Sequence, residues 1–404
     1  MMMGGMKAIA HVLFLFFAAL VFSAASAQSM HFLSQGNTPW HSVVQLRAAL
    51  VASPQDPLLR QLLAQAEAIV GNEQRACALR PSRPPLGGQW IDAQPVLAVA
   101  LQSHSVVMFN ESHDRSRHRA WVLGLLPMLH AAGFRALAAE TFAADIQAST
   151  ADGHVRSTSG IYVRDPVLAS LVKQALSLGW DLVSYEVPAD SDVAATRAGR
   201  EQGQAQALAT WLGDNPQRKL VVLAGGEHIN EQAQSGWMAA RLKQLTGLDP
   251  LSVAQGATAC GNEDPSSWPH PPAPGVYSVF DSARQADGRV DLVVHHLPMP
   301  TQHGRMGWLS GLSGRYPVQV CLPAGIQAGL LRAFAVDDPD RQVIATDQIE
   351  FDAGAQQAVL LLPHGRWWLA IENGHGKLTE MSQLVHSDDA GLAGCQAVLG
   401  APAS

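Results

Sequence analysis

Short apolar runs in the middle of the chain alternate with segments of helical spacing. These runs predict buried strands at residues 106–110, 134–139, 181–185, 220–224 and 251–254. Strands that alternate with helices are typical of βαβ units. Residues 105–262 are therefore predicted to form an α/β domain, in which a mostly parallel sheet carries helices on both faces.

The flanking regions have different patterns. Residues 28–104 show helical spacing and then a Pro- and Gly-rich connector, and residues 263–274 form a Pro-rich linker. Residues 275–404 contain short apolar runs separated by Gly, Pro and Asp, a pattern that predicts an antiparallel β-sandwich. Its predicted strands are Gly275–Phe280, Val290–Leu297, Tyr316–Leu322, Leu330–Val336, Gln342–Thr346, Ala358–Leu362 and Arg366–Ile371.

The first residues predict the compartment. Lys7, an apolar stretch at 8–21 and Ala25-Ser26-Ala27 are typical of a signal peptide over residues 1–27, cleaved after Ala27, so the protein is expected to be periplasmic or secreted. No later run approaches about 20 apolar residues, so no membrane span is expected in the mature chain. A net charge of -7 without a basic stripe excludes a nucleic-acid partner.

Four cysteines, Cys77, Cys260, Cys321 and Cys395, are widely spaced and contain no C-x-x-C pair, which argues against a thiolate zinc site. An even number in an exported chain favours disulfides, and three pairings are possible. Cys77 with Cys260 and Cys321 with Cys395 would keep each bridge near or within one domain. Buried free thiols are the alternative, because free cysteine is among the most buried residue types.

Ionisable residues follow four of the five predicted strands. Ligands bind outside the carboxyl ends of the strands in an open parallel sheet, so these side chains are expected on one rim. They are Glu111, Glu140, Glu186 and Glu227, together with the histidines His113 and His228. Crowded carboxylates need raised pKa values or opposite charges nearby, which is typical of an active site. Glu111, His113, Glu140, Glu186 and His228 are therefore the predicted catalytic residues.

Other residues around these strand ends are candidates for substrate binding. Arg115, Arg117 and Arg119 could hold an anionic or carbonyl group, or only neutralise the glutamates, and His118 lies among them. The glycines permit close backbone approach to a ligand. The remaining candidates are Asn110, Tyr185, Gly225, Gly226 and Glu227.

A weaker group of candidates lies in the tail, at Asp291, His295, His296 and Arg305. Successive residues of a strand point to opposite faces, so His295 and His296 cannot both face one site. One of them is expected to face solvent and the other to be packed.

Three of these motifs together resemble a known superfamily. The turn Asn110-Glu111-Ser112-His113, Glu140 after the second strand, and Gly225-Gly226-Glu227-His228 look like motifs of the superfamily that includes erythromycin esterases, ChaN-type haem-uptake proteins, TraB and the Tiki proteases. The resemblance spans residues 106–255. Asn110 stands where that superfamily usually has glycine, which indicates a divergent, exported member. By this resemblance, His113 would activate water, Glu111 and Glu140 would orient it or the substrate, and His228 would assist the second half-reaction or polarise the carbonyl.

The hypothesis is a hydrolase that activates water against an ester, lactone or amide in a small-molecule or peptide substrate, with no covalent intermediate and no cofactor. In one alternative, His113, His228 and two glutamates hold a divalent metal, as in the Tiki branch. In the other, the protein binds haem or another envelope ligand, with histidine or Tyr185 as an axial ligand, as the ChaN branch binds haem. The chain has no P-loop, G-x-G-x-x-G, H-E-x-x-H or nucleophile-elbow serine.

Overall fold

The computed structural model describes residues 38–85, 87–188, 190–260, 263–282, 288–312, 314–338, 342–386, 395 and 397–398. The predicted signal peptide, residues 1–27, lies outside these ranges. Within them, no helix is long and apolar enough to cross a bilayer.

The helices are α1 Pro39–Ala52, α2 Pro57–Ile69, α3 Glu73–Leu79, α4 Ala93–Ala100, α5 Ser116–Ala131, α6 Ile146–Ser149, α7 Pro166–Ser177, α8 Arg197–Asp214, α9 Met238–Thr246 and α10 Gly307–Ser310. The strands are β1 Trp90–Asp92, β2 Val106–Glu111, β3 Phe134–Ala139, β4 Asp181–Val183, β5 Lys219–Gly225, β6 Leu251–Thr258, β7 Ser278–Asp281, β8 Leu292–His296, β9 Tyr316–Cys321, β10 Gly329–Ala335, β11 Asp347–Phe351, β12 Gln357–Leu362, β13 Gly365–Glu372, β14 Leu378–His386 and β15 Ala397–Val398.

The central sheet has eight strands in the order β1-β7-β8-β6-β2-β5-β3-β4. β2 lies between β5 and β6 and is parallel to both, while β1 and β7 pair antiparallel at one edge. Val107 and Phe109 of β2 pack with the core that includes Leu125 of α5, and Met108 packs on the other face with Leu208 of α8. A strand buried on both faces needs a continuous apolar run, which is why the β2 sequence does not alternate. The α/β prediction is confirmed.

The C-terminal part forms a separate, mostly antiparallel region. One sheet has the order β11-β10-β13-β14 and the other β12-β9-β15, and Leu331, Leu360 and Leu369 lie in the core that they share. The strand predicted at Gln342–Thr346 is wrong, because β11 begins only at Asp347. Val343 forms an isolated bridge to Arg156 and the following residues are buried, so this apolar run packs against the α/β region without entering a sheet.

Two strands predicted for the β-rich region join the central sheet instead. β8 pairs parallel with β6, and β7 pairs antiparallel with β8 and with β1. The prediction was correct that these residues form strands and wrong about the sheet, because an alternating pattern defines a strand without defining its partner.

The N-terminal helices pack on the β-rich region. The backbone N–H of Trp40 in α1 donates to Glu372 of β13 at 2.8 Å, and Gln348 of β11 donates to the carbonyl of Ile69 at 2.7 Å. Disulfides connect Cys77 with Cys260 and Cys321 with Cys395, which is the pairing that the domain division favours. The first bridge ties α3 to the segment that follows β6.

Candidate functional site

The end of β2 holds His113 through a buried chain of charged groups. His113 Nδ1 donates to Glu111 Oε1 at 2.7 Å, and Glu111 also accepts from Arg119 Nε at 2.7 Å and Nη2 at 2.5 Å. Arg119 Nη1 donates to Asp165 Oδ2 at 2.7 Å, and Asp165 caps α7 by accepting from Val167 N at 2.8 Å. The position of His113 is thus fixed from both β2 and α7.

The Glu111 carboxylate determines which nitrogen of His113 carries the proton. Burial alone would raise the pKa of Glu111, but Arg119 and His113 outweigh it and lower the pKa to about 2. An ionised carboxylate only accepts hydrogen bonds, so Nδ1 of His113 carries a proton and donates it to Glu111. The ring of Tyr162 stacks on His113 with 4.0 Å between ring centroids and fixes the imidazole plane.

Glu140, directly after β3, lies between the two imidazoles. Its Oε2 accepts from Gly225 N at 2.6 Å and its Oε1 from Arg200 Nη2 at 2.7 Å. His113 Nε2 lies 3.7 Å from Oε2, and His228 Nε2 lies 3.7 Å from Oε1. Both gaps exceed a hydrogen bond. The reactive edges of both imidazoles therefore face one carboxylate without being bonded to it.

Gly225 at the end of β5 makes this close approach possible. A Cβ atom at this position would lie 2.7 Å from His113 Nε2 and 2.8 Å from Glu140 Oε2. Side-chain carbons do not pack at such distances, so the absence of a side chain leaves room for His113 and Glu140 to meet.

The end of β5 supplies His228 through the 3₁₀ turn Gly226–Ile229. Its Nδ1 bonds to Glu201 Oε2 at 3.0 Å, and the same oxygen accepts from Met238 N at 2.8 Å. Burial alone would lower the pKa of His228 and nearby Arg200 also opposes its charge, but Glu140 and Glu201 outweigh both and raise the pKa. These two carboxylates favour the charged form of His228, while Arg200 Nη1 lies 3.5 Å from its Nε2.

The same charges act on Glu140. Burial alone would raise its pKa, but His228, His113 and Arg200 lower it below its ordinary value. Arg200 also bonds Glu186, with Nε to Oε1 at 3.0 Å and Nη2 to Oε2 at 2.7 Å. Arg200 therefore bridges Glu140 and Glu186 and places Glu186 at the outer side of the cluster.

The five predicted catalytic residues lie in this one cluster, but four of its members, Tyr162, Asp165, Arg200 and Glu201, have no counterpart among the predicted site residues. Arg200 and Glu201 lie in α8, where neighbouring opposite charges look like a solvated helix face, yet Glu201 is buried. Tyr162 begins a short 3₁₀ helix, Tyr162–Arg164, which no periodic pattern in the sequence indicates. Glu201 shares one helical face with Ala205 and Leu208, which is a sequence signal for its burial, and Tyr162 has no comparable signal.

Several predicted substrate-binding residues are engaged elsewhere. Arg115 bonds Asp114 at 2.7 Å, and Arg117 donates to the carbonyl of Leu297 at 2.6 Å. Arg119 is fully buried and neutralises Glu111, in accordance with the second role predicted for the arginines. The geometry does not favour substrate binding by these three side chains.

His118 and Tyr185 are also part of the buried framework. His118 accepts from Ser112 N at 2.9 Å, and its Nε2 lies 2.7 Å from Thr258 Oγ1. Burial lowers the pKa of His118 to about 3, so its ring is neutral. The hydroxyl of Tyr185 donates to the carbonyl of Leu223 at 3.0 Å. These contacts explain both residues without a ligand.

Asn110, Gly226 and Glu227 lie beside the cluster. Asn110 Oδ1 accepts from Gln255 N at 2.5 Å, which ties β2 to β6 where their ladder ends. Glu227 and Gly226 are exposed in the turn that carries His228. Glu227 accepts from Asn230 Nδ2 at 3.2 Å.

The tail candidates make contacts of their own. His296 is fully buried and bonds Gln255 at 2.9 Å, while His295 is half-buried and accepts from Ala257 N at 2.9 Å. Arg305 pairs with Asp347 at 2.8 Å. Asp291 accepts from Ser252 N at 2.8 Å. Of the two histidines, His296 is packed as expected, but His295 is only partly exposed to solvent.

A metal site would need several ligands that converge. Over the described ranges, no group of three or more His, Cys, Asp or Glu side chains is arranged to hold a metal ion. Glu140, a candidate ligand, already accepts from Arg200 and from Gly225 N through its two oxygens.

No protein-family model and no curated protein matches the chain. Several solved structures resemble it. The type III effector HopBA1 is 14% identical, with a TM-score of 0.34 over 55% of this chain and 100% of its own. Haem-bound ChaN of Campylobacter jejuni is 9% identical, with a TM-score of 0.34 over 54% and 99%. RRSP, a MARTX toxin effector domain from Vibrio vulnificus, is 18% identical, with a TM-score of 0.32 over 52% and 44%. These values leave the family of the chain open.

Proposed function

We propose that the chain is a hydrolase that activates water at the cluster of His113, Glu140 and His228 and cleaves an ester, lactone or amide. The observation that carries this proposal is the arrangement of two imidazoles on either side of one carboxylate. Each imidazole has its Nδ1 edge bonded to a glutamate and its Nε2 edge directed to the gap. A base and an acid in one gap are what hydrolysis by water requires.

The two histidines take different roles. His113, with its proton on Nδ1, accepts a proton from water at Nε2 while the water oxygen attacks the carbonyl carbon. His228, whose charged form Glu140 and Glu201 favour, donates its Nε2 proton to the leaving oxygen or nitrogen as the bond to carbon breaks. The products are an acid and an alcohol or amine. The proton on His113 then returns to solvent, and His228 is reprotonated.

The proposed compartment is the periplasm or the exterior of the cell. The N-terminal sequence pattern supports export. Two disulfides join the four cysteines, and such bridges persist in oxidising compartments. Membership in the erythromycin esterase-like superfamily is likewise a proposal, supported by the motifs at the ends of β2, β3 and β5.

The test is His113→Ala in the purified, signal-cleaved protein, assayed against a panel of uncharged esters, lactones and amides. We expect turnover to fall by about 10³-fold or more, within the usual contribution of a general base. His375→Ala, at an exposed turn of the β-rich region, is the matched control and should keep full activity. Full activity of His113→Ala on a substrate that the wild type hydrolyses would refute the assignment.

A further inference from the structure

A cleft adjoins the cluster on the other side of the turn that carries His228. It has a volume of about 210 Å³. A cavity of about 150 Å³ accommodates a benzene ring, so this cleft has room for a phenyl group or a branched alkyl group. Gly226 and Ile229 line it, while His228 of the same turn faces Glu140. The turn is therefore shared by the cluster and the cleft.

The inner surface of the cleft is apolar. It includes Ile229 of the turn, Ala254 of β6, and Val290 and Val293 at β8. Ala254, Val290 and Val293 are half-buried, which identifies a part of the sheet face that is not completely covered by helices. Burial of apolar surface of this kind by a ligand is favourable.

Asn110 provides a polar group at the boundary between cleft and cluster. Its Oδ1 accepts from Gln255 N, which fixes the orientation of the amide. The amide nitrogen has two protons, and its contact to the Gly226 carbonyl is long at 3.5 Å. Asn110 Nδ2 can therefore donate to an oxygen of a ligand that extends from the cluster into the cleft.

The charge of the site disfavours an anionic ligand. The cluster contains five carboxylates, Glu111, Glu140, Glu186, Glu201 and Asp165, against three cationic groups, Arg119, Arg200 and His228. The cleft adds Glu227 and Arg289, one charge of each sign. A negatively charged acyl group would meet an excess of negative charge.

We infer that the cleft is the specificity subsite of the proposed hydrolase and binds an uncharged, phenyl-sized apolar group of its substrate. The inference rests on the proposed function. The cleft and His228 lie on opposite sides of the Gly226–Ile229 turn. The apolar group of the substrate binds in the cleft, and Asn110 donates to a substrate oxygen between the cleft and the cluster.

The experiment compares hydrolysis of ethyl acetate, ethyl benzoate, benzyl acetate and monoethyl succinate by the full mature protein, followed by proton release. We expect a phenyl-bearing ester to exceed ethyl acetate about tenfold in kcat/KM, and the anionic succinate to be the poorest substrate. Ala254→Phe fills the cleft and should abolish the tenfold preference for the phenyl-bearing ester over ethyl acetate. Val99→Phe, on an exposed face of α4, is the matched control and should retain the preference.

Val293→Phe, which fills the same cleft from β8, replaces Ala254→Phe if that variant does not fold. A preference that is absent in the wild type, or unchanged in the filled variants, overturns the subsite. Binding of acetophenone, an uncharged phenyl ketone, is measured by ligand-observed NMR and needs no turnover. If no ester is hydrolysed, acetophenone binding that persists in His113→Ala and is lost in Ala254→Phe supports the cleft as a ligand site, while the hydrolase proposal fails. No acetophenone binding in the absence of hydrolysis overturns both.

Discussion

At the end of β2, Nδ1 of His113 bonds to the carboxylate of Glu111, two residues earlier. At the end of β5, Nδ1 of His228 bonds instead to the carboxylate of Glu201 on α8. The two strand ends look alike in sequence, with a glutamate next to or near a histidine. Glu227, which directly precedes His228, is exposed and bonds Asn230 instead. Similar short motifs can thus be completed by different parts of the fold.

The difference also separates the two chemical roles. Glu111 is neutralised by Arg119, so its charge mainly orients His113. Glu140 and Glu201 both act on His228, and they raise its pKa against the effects of burial and Arg200. In the proposed mechanism, this difference in the number of surrounding carboxylates separates the base, His113, from the acid, His228.

The largest expected effect comes from Glu111→Gln. The amide cannot hold the Nδ1–H tautomer as the carboxylate does, so we expect turnover to fall on the order of 10³-fold. Arg119 also loses one of its two buried partners, which should cost about 3 kcal/mol in the free energy of unfolding. Steady-state kinetics and urea unfolding measure the two effects.

Glu372→Gln is the matched control for Glu111→Gln. Glu372 is fully buried and pairs with Arg332 in the β-rich region. The Glu372→Gln variant should have a lower free energy of unfolding but keep its turnover per folded molecule. Equal loss of turnover in both variants would mean that Glu111 acts through stability alone.

Glu201→Gln and Glu227→Gln test the β5 side. The first should reduce turnover between tenfold and a hundredfold, because a weaker partner at Nδ1 lowers the pKa of the acid His228. On the alkaline side of the pH–rate profile, the rate of Glu201→Gln should begin to fall at a lower pH than that of the wild type, since its His228 loses the proton at a lower pH. Glu227→Gln should stay within twofold of the wild type. A larger effect at Glu227 than at Glu201 would reverse the assignment.

The smallest effect on turnover is expected for Glu73→Gln in α3. Glu73, Asp165, Arg305 and Asp347 line a small pocket of about 10 Å³ where the N-terminal helices, the α/β region and the β-rich region meet. Burial raises the pKa of Glu73 to about 7, with Arg305 opposing and Asp165 and Asp347 adding to the increase. A raised carboxyl pKa means tighter proton binding in the folded chain than in the unfolded chain.

The stability that Glu73 contributes is therefore complete below about pH 4.5 and is lost as the pH rises to about 7. Glu73→Gln should match the wild type near pH 4 and exceed it above pH 7 by about 3 kcal/mol. Urea unfolding at both pH values measures this. Asp165 lines this pocket and also bonds Arg119. A changed turnover of Glu73→Gln would therefore show that the pocket is coupled to His113 through Asp165 and Arg119.

The sheet and the strand-end residues were predictable because both depend on local sequence. Apolar runs buried on two faces stand out, and the carboxyl ends of parallel strands converge by geometry. The partner sheet of β7 and β8 was not predictable, because alternation does not specify pairing. Glu201 lies in α8 and Tyr162 in a 3₁₀ helix, and the approach of both to the rim depends on tertiary packing.

The most direct test of the central claim is a pH titration of the His228 side chain by ¹H–¹⁵N NMR, with its signal assigned by comparison with His228→Ala. The account predicts that His228 titrates above the ordinary histidine value of about 6.5, and that Glu140→Gln lowers its pKa because the neighbouring charge is removed. A His228 that titrates at or below the ordinary value in the wild type would contradict the account, because burial would then outweigh Glu140 and Glu201 and no charged acid would face His113.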